Sequence, residues 1–442
     1  MGWALRLVET GHSSGRRSRK VCDLGEIAGP AELDEVGLSL EQAKAILASL
    51  QQAVVQVQEE ALAASARAAS SEVPGSRLKD YRLRRVDTLF GRVAIRVPRL
   101  ISPGRGSAAT SLVKSARHAR STAEYDRVRA CLSAWMSYRA ASDLLAMLLP
   151  VEAGAAVATF HRRTQGLGRS LLVSSPPAPA QHATEISLML DTTFVRSNSP
   201  DAGRGWEILI GAAKAETGAR CCLGAPIGQR AASLKLIEDA LGVVGRTPAT
   251  RLTAFTDGAP ILRGLAARVG IRDGPILDWF HIAMRIRHLE VSAAALPTRM
   301  PSQVAAKAVI CDGVERLRWK LWHGHRDAIA PCVKQITEGL GGYRREPHHA
   351  RRPAASRVLR SKLWVLRKYV SGQEAWTTNY AERSRQGQRV GTALAEGLAE
   401  NLVNPRMNKS QHMRWSQAGA FHLLQVRAAT LNGRMHAIAQ RA

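Results

Sequence analysis

Apolar positions along this chain change their period several times, and each change marks an element. From Leu40 to about Ala69 they recur at helical spacing in an Ala/Gln/Glu/Leu-rich stretch. Ser39 stands where an N-cap belongs, with Gln42 three residues on, and Pro74-Gly75 ends the run. The pattern predicts one long helix, a candidate dimer element, over 39–73. The residues before it, 1–38, are mixed and Gly/Arg-rich and read as poorly ordered. Beyond it, Val93, Ile95 and Val97 alternate with Ala94 and Arg96. With Arg77–Phe90 they predict a basic β-hairpin around Gly91, in a module that ends in a Ser/Gly/Arg-rich linker at 122. Helices are predicted near 123–149 and 154–168, separated by Pro150. Within 123–173, Tyr138–Leu145 and Ala156–Arg163 fit either a helix-turn-helix or a plain helical pair.

A Pro-rich spacer, Ser174 to Ala180, marks a domain boundary. After it the pattern becomes α/β. Strands are predicted at Ile186–Val195, Trp206–Lys214, Arg220–Pro226, Arg251–Thr256 and Pro275–Trp279, and helices at Ala231–Val244 and Ile261–Val269. Three strands in meander followed by strand–helix alternation suit a ribonuclease H-like core with a mixed five-stranded sheet. From Ile282 to about Val370 the chain reads as helical, and final helices are predicted near 391–404 and 417–438.

Charge changes the picture of partners. The 442 residues carry 63 Lys and Arg against 36 Asp and Glu, a formal net charge of +27. Such an excess points to nucleic acid as the partner. An anionic membrane surface is the weaker fit, and no apolar run reaches the roughly 20 residues of a spanning helix. No apolar leader with a small-residue cleavage site is evident near the N-terminus, so secretion is not expected. The six cysteines form no Cys-x-x-Cys pair, which fits a reducing compartment and gives no zinc signature.

Three acids carry candidate chemistry. Asp191 closes the apolar run Ile186–Leu190, Asp257 closes Leu252–Thr256, and Glu396 lies on a predicted late helix. In the predicted strand order the first and fourth strands are neighbours, so Asp191 and Asp257 can share a divalent cation. Such an ion offsets their mutual repulsion and suits phosphoryl transfer. Spacing alone does not choose the third acid, because Glu396 and Glu400 share one helix face and Glu382 lies upstream. Asp278 and His281 follow the predicted fifth strand, either as groups beside the metal site or as a buried structural pair.

Two surfaces are further candidates. Arg82, Arg84 and Arg85 line the hairpin. Arg344, Arg345, Arg351, Arg352, Arg357, Arg360 and Lys362 lead a segment over 343–370 with Trp364 and Tyr369 interleaved and Glu346 its sole acid. A DNA-backbone surface is expected there. Trp319 and Trp322 are candidates for stacking on an unpaired base, or for packing among the helices.

Several segments together resemble the bacterial insertion-sequence transposases of the DDE type, in particular the ISKra group. They are Lys79-Asp80-Tyr81-Arg82 with Thr88–Val93 and Val97–Leu100; Thr256-Asp257-Gly258 with Leu277–Arg285; Leu321-Trp322-His323-Gly324; and Asn379-Tyr380 with Thr392–Glu396, Asn404–Met407, Gln411–Trp415 and Leu423–Gly433. The resemblance spans roughly 77–433, and its most specific parts are Asp278–Met284 and Gln411–Trp415. It implies a ribonuclease H-like core over 181–284 and 386–442, interrupted by an all-helical insertion over 285–385. It selects Glu396 as the third acid and makes Asp278 and His281 an Asp-x-x-His element beside the site. It also implies two Mg²⁺ or Mn²⁺ ions per site and a protein acting in the bacterial cytoplasm, on the nucleoid when bound to DNA. The implied partners are terminal inverted repeats and target DNA, and bringing two ends together implies a dimer or higher oligomer. The alternative is a catalytically silent or domesticated DNA-binding relative. The chain departs from the group in lacking cysteine pairs around the hairpin and in placing Thr192-Thr193 after Asp191, where relatives tend to have glycine.

Overall fold

A computed structural model describes residues 2–9, 19–28, 37–72, 77–101, 110–111, 120–151, 156–199, 205–271, 274–343, 354–391, 397, 399–408 and 413–435. The chain forms two compact units, Met1–Val173 with Gln425–Ala442, and Ser174–Leu424. The division after Val173 falls at the Pro-rich spacer.

In the first unit, β1 (Gly2–Glu9) and β2 (Arg19–Ala28) pair antiparallel. The expected lack of order over 1–38 therefore does not hold for these residues. Leu24 of β2 is buried, and β2 packs against α1 (Leu40–Glu72), so a tertiary surface supplies what the local composition lacks. Helix α1 begins as expected. The Ser39 and Gln42 side chains accept each other's backbone N–H, at 3.2 and 2.9 Å. Strands β3 (Arg77–Thr88) and β4 (Gly91–Ile101) form the hairpin, and Gly91 turns it with φ +107°. A short β5 (Thr110–Ser111) pairs with β4. The single helix expected over 123–149 is two, α2 (Ala123–Trp135) and α3 (Tyr138–Leu148). Ser137 breaks the run by capping α3, its hydroxyl accepting from Ala140 N–H. With α4 (Val157–Val173), α2 and α3 pack as three helices.

The core of this bundle holds a fully buried Arg129. Its guanidinium lies 3.4 Å from the Tyr125 ring centroid and donates to Ser121 Oγ and Asp126 Oδ1. From Gln425 onward the chain belongs to this unit, where Val426, Ala429 and Met435 pack with Ala130 and Ala134. The expectation that all of 386–442 joins the sheet domain is corrected by that packing.

The second unit is built on β6 (Glu185–Val195), β7 (Trp206–Ala215), β8 (Arg220–Pro226), α5 (Arg230–Val243), β9 (Arg251–Thr256), α6 (Pro260–Arg268) and β10 (Ile276–Leu277). The sheet order is β10-β9-β6-β7-β8. Strands β6, β7 and β8 form an antiparallel meander, while β9 runs parallel to both β6 and β10. The first and fourth strands are thus neighbours, as the element order predicts. Leu188 and Leu190 face the core shared with α5 and α6. The strand's period of two puts Met189 and Asp191 on the opposite face.

Strand β10 is shorter than predicted, because Asp278 already caps the next helix, α7 (Trp279–Ala294). Three more helices follow, α8 (Pro301–Trp322), α9 (Ile329–Gly342) and α10 (Ala354–Ser371), then the short α11 (Tyr380–Arg385). These helices share one core with Leu277 at the sheet edge and lie in the same compact unit as the sheet. Downstream, the π-helix Ala399–Val403 places Leu402 within reach of Gly224 on β8, so a Cβ there would meet Leu402 at 3.0 Å. No helix among the described residues is long and apolar enough to cross a membrane.

Candidate active site at the end of the parallel strands

The last parallel pair of β6 and β9 is Leu190 with Thr256. Asp191 and Asp257 are the next residues on the two strands, so strand register alone sets their backbones side by side. Both are half-buried. Asp191 Oδ1 accepts from Thr192 N–H at 2.7 Å, and Asp257 Oδ1 accepts from Ala259 N–H at 2.9 Å as the chain turns into α6. Gly258 makes that turn at φ +88°. A side chain there would be strained and would collide with the Gln373 amide, which closes over the turn.

Asp278 sits one strand further along and is fully buried. Its N–H donates to Thr256 O, which ties it to the end of β9. One carboxylate oxygen accepts from Phe280 N–H at 2.9 Å as the N-cap of α7, and the other accepts from His281 Nδ1 at 2.7 Å. The Asp-x-x-His spacing thus works through helix geometry, because a cap residue and the third helical residue face each other. Gly391 packs on this cap, where a Cβ would lie 2.4 Å from Asp278 Oδ1, and Val390 O accepts from Trp279 N–H.

The electrostatics of the cluster are those of crowded acids. Burial raises the Asp191 carboxyl above its ordinary range, and the nearby charges of Asp257 and Asp278 push the same way against His281. Burial alone would lower the His281 imidazole. Its bond to Asp278 and the charges of Asp278, Asp191 and Asp257 outweigh that and raise it. Among the described residues, neither Asp191 nor Asp257 has a Lys or Arg within ion-pair distance.

Two residues that the sequence pattern does not mark complete the surroundings. Tyr369 on α10 donates its hydroxyl to the Asp257 backbone carbonyl at 2.9 Å. Burial raises its phenol far above the ordinary range, and the three carboxylates add to that against Arg285. Arg285 on α7 stacks 3.8 Å over the Tyr369 ring centroid and donates to His281 O. Only its place in a basic segment gave Tyr369 away in the sequence. Its reach to β9 depends on how α10 packs.

The other expected site residues divide. Glu396, Arg344, Arg345, Arg351 and Arg352 lie outside the described residues, and of Glu400 only the backbone, in the π-helix, is described. Arg82 and Arg85 are exposed on β3 and Arg84 is half-buried. Arg357 and Arg360 are exposed on α10, whereas Lys362 turns its ammonium to Ser292 Oγ at 3.0 Å. That correction follows from helix phase, which points Lys362 at α7 instead of solvent. Trp322 packs against Trp279 and Tyr380, with centroids 4.7 and 6.2 Å away. Its ring serves the helical core, so the stacking alternative loses this residue, while Trp319 remains half-exposed.

Asp191 and Asp257 fit a hard divalent cation: they are oxygen donors, crowded, part-desolvated and without a Lys or Arg partner among the described residues. Both Asp278 oxygens are already engaged. Among the described residues, no three His, Cys, Asp or Glu side chains converge as a ready metal cage. No protein-family model matches the chain and no curated protein matches it, so the geometry at these strand ends has to support the functional reading by itself.

Proposed function

We propose that this chain is a DDE-type transposase of an insertion sequence, built on a ribonuclease H-like sheet with a helical insertion. It would bind terminal inverted repeats, cleave the strand at each end and join the ends to target DNA. One observation carries the reading. Two crowded carboxylates, with no Lys or Arg among the described residues within ion-pair distance, lie at the ends of adjacent parallel strands, in a chain with an excess of 27 positive charges. A fold that only needed to be stable would pair such acids, since bases are plentiful. The sheet order supports the same reading, as does the course of the chain past Asp278 at Val390–Gly391, five residues before Glu396 in sequence.

Asp191 and Asp257, with Glu396 as third acid, would hold Mg²⁺ or Mn²⁺. When bound, such ions lower the pKa of an attacking water and stabilise the leaving oxygen. The chain's own residues do the positioning. Tyr369 holds the Asp257–Gly258 turn, and the Gln373 side chain packs against it. Asp278 fixes the orientation of His281 through its bond to Nδ1, and a proton on that imidazole would meet incoming phosphate oxygens. Water would attack phosphorus, the bond to the 3′ oxygen would break and that oxygen would take up a proton. The freed 3′-hydroxyl would then attack a target phosphodiester, displacing the target strand's own 3′ oxygen, which takes up the proton given up by the attacking hydroxyl. The exposed arginines of β3 would hold the DNA backbone.

The test is strand cleavage and transfer on duplexes carrying the inverted repeats that flank the coding region. Wild type with Mg²⁺ or Mn²⁺ should cut at the repeat ends, and Asp191→Asn should lose at least about a hundredfold in rate. Undiminished cleavage by the variant would sink the proposal. Calorimetry with Mn²⁺ supplies the second arm: DNA binding without cation uptake would favour the silent, DNA-binding relative.

A further inference from the structure

Helix α10 has two unlike faces. Ser356, Leu359, Leu363, Leu366 and Val370 are buried in the helical core. Beside that buried arc, Arg357, Arg360, Trp364, Arg367 and Lys368 fall within an arc of about 100° at 3.6 residues per turn. The helix contains no acid. Trp364 is 60% exposed, the most exposed tryptophan among the described residues, and Lys368 Nζ lies 5.2 Å from its ring centroid. Arg357, Arg360 and Arg367 are exposed, and none is in an ion pair with another described residue.

We propose that this stripe binds a nucleic-acid strand with unpaired bases, Trp364 stacking on a base and the flanking cations holding phosphates. The charge demands a polyanion, and the indole decides which kind. In a duplex the base faces are hidden against one another, so a flat exposed ring gains little. An unpaired base offers a face to it, and stacking of this sort tolerates any sequence. The stripe from Arg357 to Lys368 runs about 16 Å along the helix, enough for several phosphates of one strand. A lipid surface fits less well, because the broad apolar face such a helix would insert is buried here. The other exposed tryptophans show less of their rings, 48% for Trp135 and 50% for Trp319, and both stand in helices that carry acids, Glu124 and Asp126 in α2 and Asp312 and Glu315 in α8. The inference goes beyond the cleavage reaction and holds whether or not the carboxylates cut DNA.

Fluorescence anisotropy on the full chain tests it, with a labelled oligothymidylate and a blunt duplex of equal length. Trp364→Ala should weaken oligothymidylate binding about tenfold and duplex binding less than about twofold, while Trp364→Phe keeps most of the affinity. Replacing Arg360 and Arg367 by Gln should flatten the log–log salt dependence for the single strand by about 1.4. Trp364 is exposed, so the variants should melt like wild type, which a thermal scan verifies. Unchanged oligothymidylate affinity in Trp364→Ala, or equal loss for strand and duplex, overturns the proposal. So does displacement of the oligothymidylate by phosphatidylglycerol vesicles from wild type but not from the double Gln variant, which would assign the stripe to a membrane surface. Cleavage at the repeat ends is read separately, so failure here leaves the catalytic proposal standing.

Discussion

Three aspartates of the first unit and two of the second live under opposite conditions. In the first unit Asp80, Asp87 and Asp126 each find arginine. Asp80 is bonded by Arg99, Asp87 by Arg92 at 2.6 Å, and Asp126 by Arg129 and Arg163 at 3.1 and 3.5 Å. Arg99 holds the Asp80 carboxyl below its ordinary range. In the second unit Asp191 and Asp257 face other acids, and burial pushes Asp191 upward. Since bases outnumber acids 63 to 36, pairing is the outcome that composition favours. Leaving two crowded acids with no Lys or Arg partner among the described residues costs stability, and such a cost is typical of sites kept for chemistry.

The comparison can be broken at its strongest point first. Arg129→Gln leaves Asp126 and Asp87 without their buried cation and should destabilise the first unit by about 3–5 kcal/mol. Denaturant titration with limited proteolysis should then show cleavage within residues 1–173 well before cleavage within 174–424. An unchanged midpoint would mean that the buried arginine is not what holds the bundle.

A smaller effect compares the same substitution in both regions, with a chelator present. Asp191 is raised, so the folded state binds more protons than the unfolded state at pH values above 3.8, and ionisation there costs stability as pH rises. Asp191→Asn should therefore raise Tm at neutral pH by about 2–4 °C, a change on the order of 1 kcal/mol. Asp80 is lowered, so its contribution is present above pH 3.8 and lost as pH falls below it. Asp80→Asn should lower Tm slightly, because the pair is solvent-screened. Equal downward shifts in the two variants would erase the distinction. Mn²⁺ should stabilise wild type and not Asp191→Asn.

The smallest effect concerns His281. Its raised pKa means that its charged contact with Asp278, in the field of Asp191 and Asp257, stabilises the fold fully below the ordinary value of 6.5. That stabilisation is lost as pH rises through the higher folded value. Without divalent cation, wild type should melt about 1–2 °C above His281→Gln in acid, the gap closing in alkali. A gap independent of pH would leave only a neutral hydrogen bond.

Much of this organisation was legible because it is local. A Ser and a Gln at cap spacing start α1, alternation outlines β3, β4 and the long strands of the sheet, and prolines mark the division after Val173. The Asp278–His281 contact was legible for the same reason, since three residues across a helix start is a fixed geometry. Ser137 misled, because an N-cap inside a helical stretch cannot be told from a tolerated serine until the flanking helices pack. The N-terminal strands misled because what orders them is packing on α1, which their own composition does not show.

The candidate site shows the same split. The sequence by itself determined which residues end strands, which pair across a helix cap, and that the chain carries a net charge of +27. Those are consequences of period, spacing and composition. Only the tertiary structure decided the register that sets Asp191 level with Asp257, and that Tyr369 reaches the Asp257 carbonyl. It also turned Trp322 and Lys362 inward while leaving Trp364 and its arginines outside. Helix phase and strand order distinguish these chemically similar side chains, and both are set by burying apolar faces against partners distant in sequence.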